Sequence, residues 1–380
     1  MSGPLVHGWC PGALRPMMSG DGLVVRVRAP LGALSQEQIQ CVADLSHRYG
    51  NGLIDLSARA NLQIRGIREA DHAALIWGLQ EFGLVDQSVE VESRRNLMIQ
   101  PFWKERDITQ RMAIAVTMAL AAPDAPNLPG KFGFAIDTGS APILRGSSAD
   151  IRLERLGGDI LVRADESARG VIVKPDMAAQ AAIDLAHWFL ASGGAPEGRG
   201  RMARHLASGA VLPDWLASDE MAGVEAPAPG PGLHPKGRLI ALEFGQIAAK
   251  TLLRLAAIGP LRLTPWRMLL MEGVTEAPDL PGLIHDATDP RLRIDVCTGA
   301  PGCPQGLSPT RDLARALAPH LPAGQSLHIS GCAKGCAHPG PAALTLTATA
   351  PERFDLIRDG RADATPEATG LAPNQIKKAL

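Results

Sequence analysis

The sequence lacks an excess of either charge: 38 Lys and Arg stand against 39 Asp and Glu. No global field then favours nucleic acid or an anionic membrane, and any anionic ligand has to be held by local arginine clusters. A long hydrophobic run is also missing. The longest, about Met112 to Pro123, is interrupted by Thr117 and is too short to cross a bilayer. The first residues, MSGPLVHGWCPGALRPMMSGDG, contain no basic segment leading into an apolar stretch, so no export signal is read there and a cytoplasmic protein is expected. No G-x-G-x-x-G follows a candidate strand, which argues against a nicotinamide site within the chain and for a separate electron donor or reductase. Tyrosine occurs once, beside 40 Gly and 31 Pro, a composition suited to a loop-rich fold. A chain of 380 residues is long enough for two or three domains.

What is present is a cysteine-rich stretch. Four of the six cysteines fall in two pairs, Cys297-TGAPG-Cys303 and Cys332-AKG-Cys336. Zinc knuckles usually separate paired cysteines by two residues, to suit one small tetrahedral ion. Five and three residues leave wider loops, and Gly299, Gly302, Gly331 and Gly335 let backbone approach an inorganic core and donate N–H groups to its sulfurs. The spacing points to a [4Fe-4S] cluster, with zinc or unrelated buried thiols as the alternatives. Disulfides are not expected in a chain without an export signal. Cys41 belongs on the apolar side of a helix and reads as a core thiol, whereas Cys10 precedes any regular element and is either functional or buried.

In chain order, Gly22-LVVRVRA alternates as a strand, and residues 35–50 read as an amphipathic helix capped by Ser35 and closed by Gly50. Two strands follow, Leu53-IDLS and Asn61-LQIRGI. Arg59, Asn61, Gln63 and Arg65 fall at alternate positions, so they are expected on one strand face, a row of planar donors suited to carboxylates. A helix over about 70–82 leads to a strand around Val89-EVE, with Arg94, Arg95 and Asn96 after it. The apolar helix 108–122 precedes Asn127-LPGKFGFAID, in which Lys131 stands before an alternating strand. Three short strands (150–175) and a buried helix (177–191) come next, then a basic cluster of Arg199, Arg201 and Arg204. Residues 223–237, rich in Pro and Gly, form the best linker.

Beyond the linker the order of elements repeats. Ile54-DLSARANLQIRGI lies over Leu261-RLTPWRMLLMEGV without a gap, with Leu56/Leu263, Leu62/Leu269 and Gly66/Gly273 identical. Each copy is preceded by a strand, residues 22–29 or 237–244, and a helix, residues 35–49 or 246–257. Only the first keeps the donor face, because Trp266, Met268, Leu270 and Glu272 replace Arg59, Asn61, Gln63 and Arg65. One half is therefore expected to bind an anion and the other to complete the fold.

The duplicated half, the arginine strand, the LP-x-KF segment and the four cysteines resemble the siroheme-type nitrite/sulfite reductases over nearly the whole chain. WCPGALRPMMSGDGLVVRVR, LSARANLQIRGI, LPGKFGFAID and SGCAKGCAHPGPAALTL look most like the precorrin-3B synthase family within that superfamily. The resemblance implies an α+β, pseudo-twofold duplicated fold with ferredoxin-like half-domains and cluster-binding α+β domains. The expected boundaries are an N-terminal segment and first half-domain (1–85), a first reductase-like domain (86–222), the linker (223–237), a second half-domain (238–290) and a [4Fe-4S]-binding domain (291–380). It further implies that Cys297, Cys303, Cys332 and Cys336 ligate the cluster, and that in siroheme members the last of these bridges to the haem iron.

In the reductases the lysine segment typically reads LPRKFK. Here Gly130 and Gly133 replace two of its cations, and each fixed charge lost from a dry site weakens oxyanion polarisation by several kcal/mol. Siroheme is therefore less expected than a related tetrapyrrole bound as substrate, its acetates and propionates held by Arg59, Asn61, Gln63, Arg65, Arg94, Arg95 and Lys131, with Arg199 and Arg201 as further candidates. The resemblance then implies an O2-dependent monooxygenase that hydroxylates precorrin-3A and closes a ring lactone before ring contraction in aerobic cobalamin biosynthesis. A mononuclear non-haem iron is implied as the oxygen-activating centre, although no 2-His-1-carboxylate spacing is evident and His338 is simply the imidazole nearest the cysteines. The rivals are a siroheme-dependent sulfite or nitrite reductase and a non-catalytic iron–sulfur carrier or tetrapyrrole-binding module.

Overall fold

The computed structural model describes residues 11–216 and 222–379; Cys10 lies outside them. The first unit runs β1 (Met17–Ser19), β2 (Gly22–Val27), β3 (Ala33–Leu34), α1 (Gln36–Tyr49), β4 (Leu53–Leu56), β5 (Leu62–Ile67) and α2 (His72–Glu81). The second holds α3 (Val89–Arg94), β6 (Leu97–Ile99), α4 (Ile108–Ala121), β7 (Phe134–Asp137), β8 (Ile151–Leu156), β9 (Asp159–Ala164), β10 (Val171–Val173), α5 (Ala178–Ala191) and α6 (Met202–Ala207). The third comprises β11 (Gly232–His234), β12 (Gly237–Leu242), β13 (Gln246–Ala248), α7 (Ala249–Ala256), β14 (Leu261–Leu263), β15 (Met268–Glu272) and β16 (Leu283–Ile284). The last comprises β17 (Ile294–Val296), α8 (Arg311–Leu317), β18 (Leu327–Ser330), β19 (Ala342–Ala350), β20 (Arg353–Gly360), β21 (Ala368–Leu371) and α9 (Pro373–Ala379).

Local chemistry accounts for the first unit. Ser35 and Gln38 form a reciprocal capping box at the start of α1, which ends at Gly50. The helix buries Ile39, Val42 and Ala43 on one side and turns Cys41 to Gly78 of α2 on another, each large aliphatic contributing roughly 1.5–3 kcal/mol of burial. The first and third units then exchange strands. The sheets run β1-β2-β5-β4-β13 and β11-β12-β15-β14-β3, so β13 completes the first unit's sheet and β3 the third's. One core spans both units, from Val25 and Ile64 to Leu252 and Leu269.

The fold is mixed α+β, and the duplication extends to the other two units. Strands β6, β7 and β8 pair in parallel and β9 and β10 follow antiparallel. Strands β17 to β21 repeat that pattern. In each, a helix (α4 or α8) carries the first crossover, as parallel neighbours require.

Three expectations are corrected. Residues 89–94 form a helix, not a strand. Ser88 caps it by accepting from the Val91 amide, and the alternation of Val89-EVE arises because the Glu92 carboxylate turns inward to the Ala13 and Leu14 amides. The helix expected from Gln246 begins only at Ala249, since residues 246–248 form the exchanged strand. The linker ends earlier than position 237, because residues 232–234 pair with β12.

Candidate functional site

Cys297 directly follows β17 and Cys332 lies two residues past β18, so both cysteine loops leave the carboxyl ends of adjacent parallel strands. The Gly331 amide donates to Cys297 Sγ at 3.0 Å. A Cβ on Gly331 would lie 3.1 Å from Gly299 Cα, 3.3 Å from Gly306 Cα and 3.4 Å from Cys297 Sγ, so glycine is what lets the loops close around the sulfur. Burial pushes the Cys297 thiol up, and Cys303 and Cys332 stand near enough to oppose its ionisation further. Burial likewise raises Cys336, and it too feels the other three. Among the described residues, no three His, Cys, Asp or Glu side chains group tightly enough to hold one metal ion. A four-iron cube places each thiolate on a different iron, so its ligands stand farther apart than those of a single ion. The donor set, the glycine cradle and the amide aimed at sulfur fit such a cluster.

Each half of the duplicated pair braces one cysteine loop. From β5, Arg65 Nη2 donates to the Gly302 carbonyl at 3.0 Å, which also accepts from the Ser19 hydroxyl and the Gly20 amide. From the third unit, Arg267 Nη2 reaches the Ala337 carbonyl, beside Cys336, while its Nη1 pairs with Asp295 at 2.7 Å. Asp295 also meets His338 Nδ1 at 2.9 Å. His338 is therefore engaged with a carboxylate. His328, beneath the same loop, is fully buried, and desolvation lowers its pKa to about 4.

The donor residues do not form one row. Arg59 stands in a turn before β5, where Ala60 adopts φ 53° and Ser57 accepts the Asn61 amide. Gln63 and Arg65 share a strand face, but Arg65 is only 5% exposed and its fork is filled by Asp21 at 2.8 Å and Asp55 at 3.0 Å. Burial works against the Arg65 charge, yet the two carboxylates outweigh it and raise the pKa. Arg95 is likewise bound in bidentate fashion to Asp86, and Arg94 reaches the Ala122 carbonyl, at 3.5 Å. The donors of Arg65 and Arg95 thus meet internal carboxylates.

The structure instead brings Arg59, Lys131 and Arg201 together. Arg59 Nη2 donates to the Lys131 carbonyl at 2.7 Å and to Ser148 Oγ at 3.1 Å, and Arg201 Nη2 donates to the same hydroxyl at 2.9 Å. Arg201 Nε is fixed by Asp150, which is fully buried. Lys131, Arg199, Arg201 and Arg204 line a cavity of about 660 Å³.

Arg26 and Arg28 were missed by the sequence reading, although their alternation at the end of β2 was visible. Arg26 pairs across the sheet with Gln63, and Gln63 with Asp55, so all three lie on one face. At 6% exposure, Arg26 has Nε and Nη1 buried without a hydrogen-bond partner among the described residues. Such an orphaned guanidinium is costly unless something meets it. Arg28 is paired with Glu92 and donates to Asn96, and burial lowers its pKa to about 10.

Comparison with known proteins agrees with this architecture. The model for the nitrite/sulfite reductase ferredoxin-like half domain matches residues 15–82. The solved structure of the Mycobacterium tuberculosis NirA protein superposes with a TM-score of 0.59 over 94% of this chain and 79% of that one, at 17% identity. A ferredoxin–nitrite reductase of Leptolyngbya laminosa is 30% identical over 138 residues, covering 34% of this chain and 27% of that protein. Residues 15–82 thus match the half domain of the nitrite/sulfite reductases, and the chain as a whole shares the fold of NirA. The chain is also similar over nearly its whole length to the precorrin-3B synthase of Sinorhizobium sp, at 28% identity over 95% of the chain and 85% of that protein. No helix among the described residues is long and apolar enough to cross a membrane.

Proposed function

We propose that this chain is an iron–sulfur monooxygenase that hydroxylates precorrin-3A and closes an acetate onto the ring as a lactone. The observation that carries the reading is the unmatched guanidinium of Arg26 beside Gln63, on a sheet face joined through Arg65 to the cysteine loop. A macrocycle ringed by carboxylates supplies the missing acceptors. Whole-length similarity to a precorrin-3B synthase supports that choice of ring. Arg26, Asn61, Gln63 and Arg59 would grip carboxylates, with Lys131, Arg199 and Arg201 at the outer edge. Arg65 and Arg95 would position the loops around them. Cys297, Cys303, Cys332 and Cys336 would hold a [4Fe-4S] cluster, which when bound supplies electrons one at a time. In the overall reaction one atom of O2 enters the product and the other leaves as water, taking two electrons and two protons from an external donor. A mononuclear iron is the proposed partner for O2.

The similarity to ferredoxin–nitrite reductases over about a third of the chain favours a second reading, a siroheme-dependent reductase. Anaerobically purified protein separates the two. Iron and acid-labile sulfide without haem bands, and O2 uptake that depends on precorrin-3A and a reductant, are expected. Stoichiometric siroheme in the purified protein would overturn the substrate-cleft reading.

A further inference from the structure

Repetition of the architecture gives the cysteine loops a counterpart. Just as those loops leave β17 and β18, the segments after β6 and β7 leave the carboxyl ends of two adjacent parallel strands. Arg262 braces the first of them, donating to the Pro101 and Trp103 carbonyls at 2.8 and 2.6 Å, as Arg65 braces Gly302. No thiol stands in these segments. They line a cavity of about 540 Å³, closed on one side by Pro227 and Pro229 of the connecting segment. Crevices at the carboxyl ends of parallel strands are where open α/β sheets take ligands.

The lining divides by chemistry. Its floor is a satisfied, buried polar network in which Thr138 Oγ1 and Gln100 Nε2 both donate to Thr109 Oγ1, at 2.8 and 3.2 Å. Phe102, Ile108 and Ile143 form an apolar wall. Lys104, Arg111 and Arg155 stand at the mouth. Arg65, Arg95, Arg201 and Arg262 are all tied to carboxylates. Among the described residues none of these three cations forms an ion pair, and only Arg155 makes a side-chain hydrogen bond, to the Gly157 carbonyl. The one acid in the lining, Asp107, already accepts from the Gln110 and Lys104 amides. Three cations against one acid leave an unmatched positive mouth over an apolar wall.

We infer that this cavity is a second ligand site, which takes a small phosphate-bearing molecule with its phosphate on Lys104, Arg111 and Arg155 and its body against Phe102. Paired guanidinium and ammonium groups suit a compact dianion. The site is independent of the tetrapyrrole reading.

Acylation of Lys104 in the full chain, measured by peptide mass spectrometry, reports on the site locally. Pyrophosphate at up to about 10 mM, the weak limit of specific binding, should protect Lys104 several-fold compared with chloride at equal ionic strength. The Arg111→Ala and Arg155→Ala double variant should need about tenfold more pyrophosphate for the same protection. Both residues are exposed, so circular dichroism should show an unaltered fold. Unchanged Lys104 labelling in the wild type, protection undiminished in the double variant, or equal protection by citrate would each overturn the proposal.

Discussion

Arg65→Ala tests whether the arginine strand holds the cysteine loop or faces ligand. The Arg65 side chain is 6% exposed and lies between Asp21 and Asp55, whose side chains are 18% and 14% exposed, with the Gly302 carbonyl as a further acceptor. Truncation leaves two carboxylates with little access to water and removes one of three donors from Gly302. Breaking a buried pair by deleting one partner costs roughly 3–5 kcal/mol. Arg311 lies 3.5 Å from Asp55 and takes up part of the released charge, which favours the lower end. With an unfolding entropy of about 2.1 cal/mol/K per residue, 380 residues give about 0.8 kcal/mol/K, so Tm should fall by roughly 4–6 °C. Differential scanning calorimetry on protein of known iron content reads this directly, and labile sulfide should fall with it. A Tm within about 1 °C of the wild type, combined with a large loss of tetrapyrrole affinity, would refute the bracing role and restore Arg65 to the ligand face.

Arg26→Ala should do the reverse, weakening tetrapyrrole binding by roughly 1–3 kcal/mol with little loss of stability, because Nε and Nη1 have no hydrogen-bond partner among the described residues to abandon; equilibrium titration and a melting curve check both halves. Cys332→Ser should remove labile sulfide and activity together, and a variant that retains both is not missing a ligand. Asp137 is pushed up to about 6, chiefly by burial. Its protonated form is favoured in the folded state, so its contribution leaves stability flat below about pH 4, lowers it as pH rises towards 6, and adds no further slope above that. Asp137→Asn should therefore gain up to about 3 kcal/mol on the wild type at pH 7 and lose that advantage near pH 4, as measured by denaturant titration.

Much of the frame was legible because local signals and tertiary structure agree. Ser35 and Gly50 bound α1, and the identical Gly66 and Gly273 both adopt φ 74°, a left-handed conformation that favours glycine. Pairing was less legible. Residues 246–248 lie ahead of a helix but pair with β4, and nothing in their composition distinguishes an exchanged edge strand from a first helical turn. Residues 89–92 alternate because of a carboxylate whose partners, Ala13 and Leu14, lie almost eighty positions away. The site was read in outline, since arginine density was visible but its use was not. A sequence cannot show that Asp21, Asp55 and Asp86 fill Arg65 and Arg95, or that Arg26, two positions from an equally basic Arg28, is the one left unmatched.

The two copies of the half-domain show why so few identities mark so complete a duplication. Asp55 and Arg65 of the first copy align with Arg262 and Glu272 of the second, so the ion pair is retained with its charges exchanged between strands. In both, the guanidinium also holds a loop at the carboxyl end of a parallel strand, Gly302 in one case and Pro101 and Trp103 in the other. The clamp is therefore common to both copies, and binding chemistry has to be sought in what differs. At the position of Arg59, Trp266 packs against Leu239, Met268 and Leu270 on one side and Met98 and Leu144 on the other. An indole there fills with apolar bulk the region that stays polar in the first copy. An anion gripped by the first copy has no equivalent place against the second, so the tetrapyrrole reading entails one macrocycle per chain.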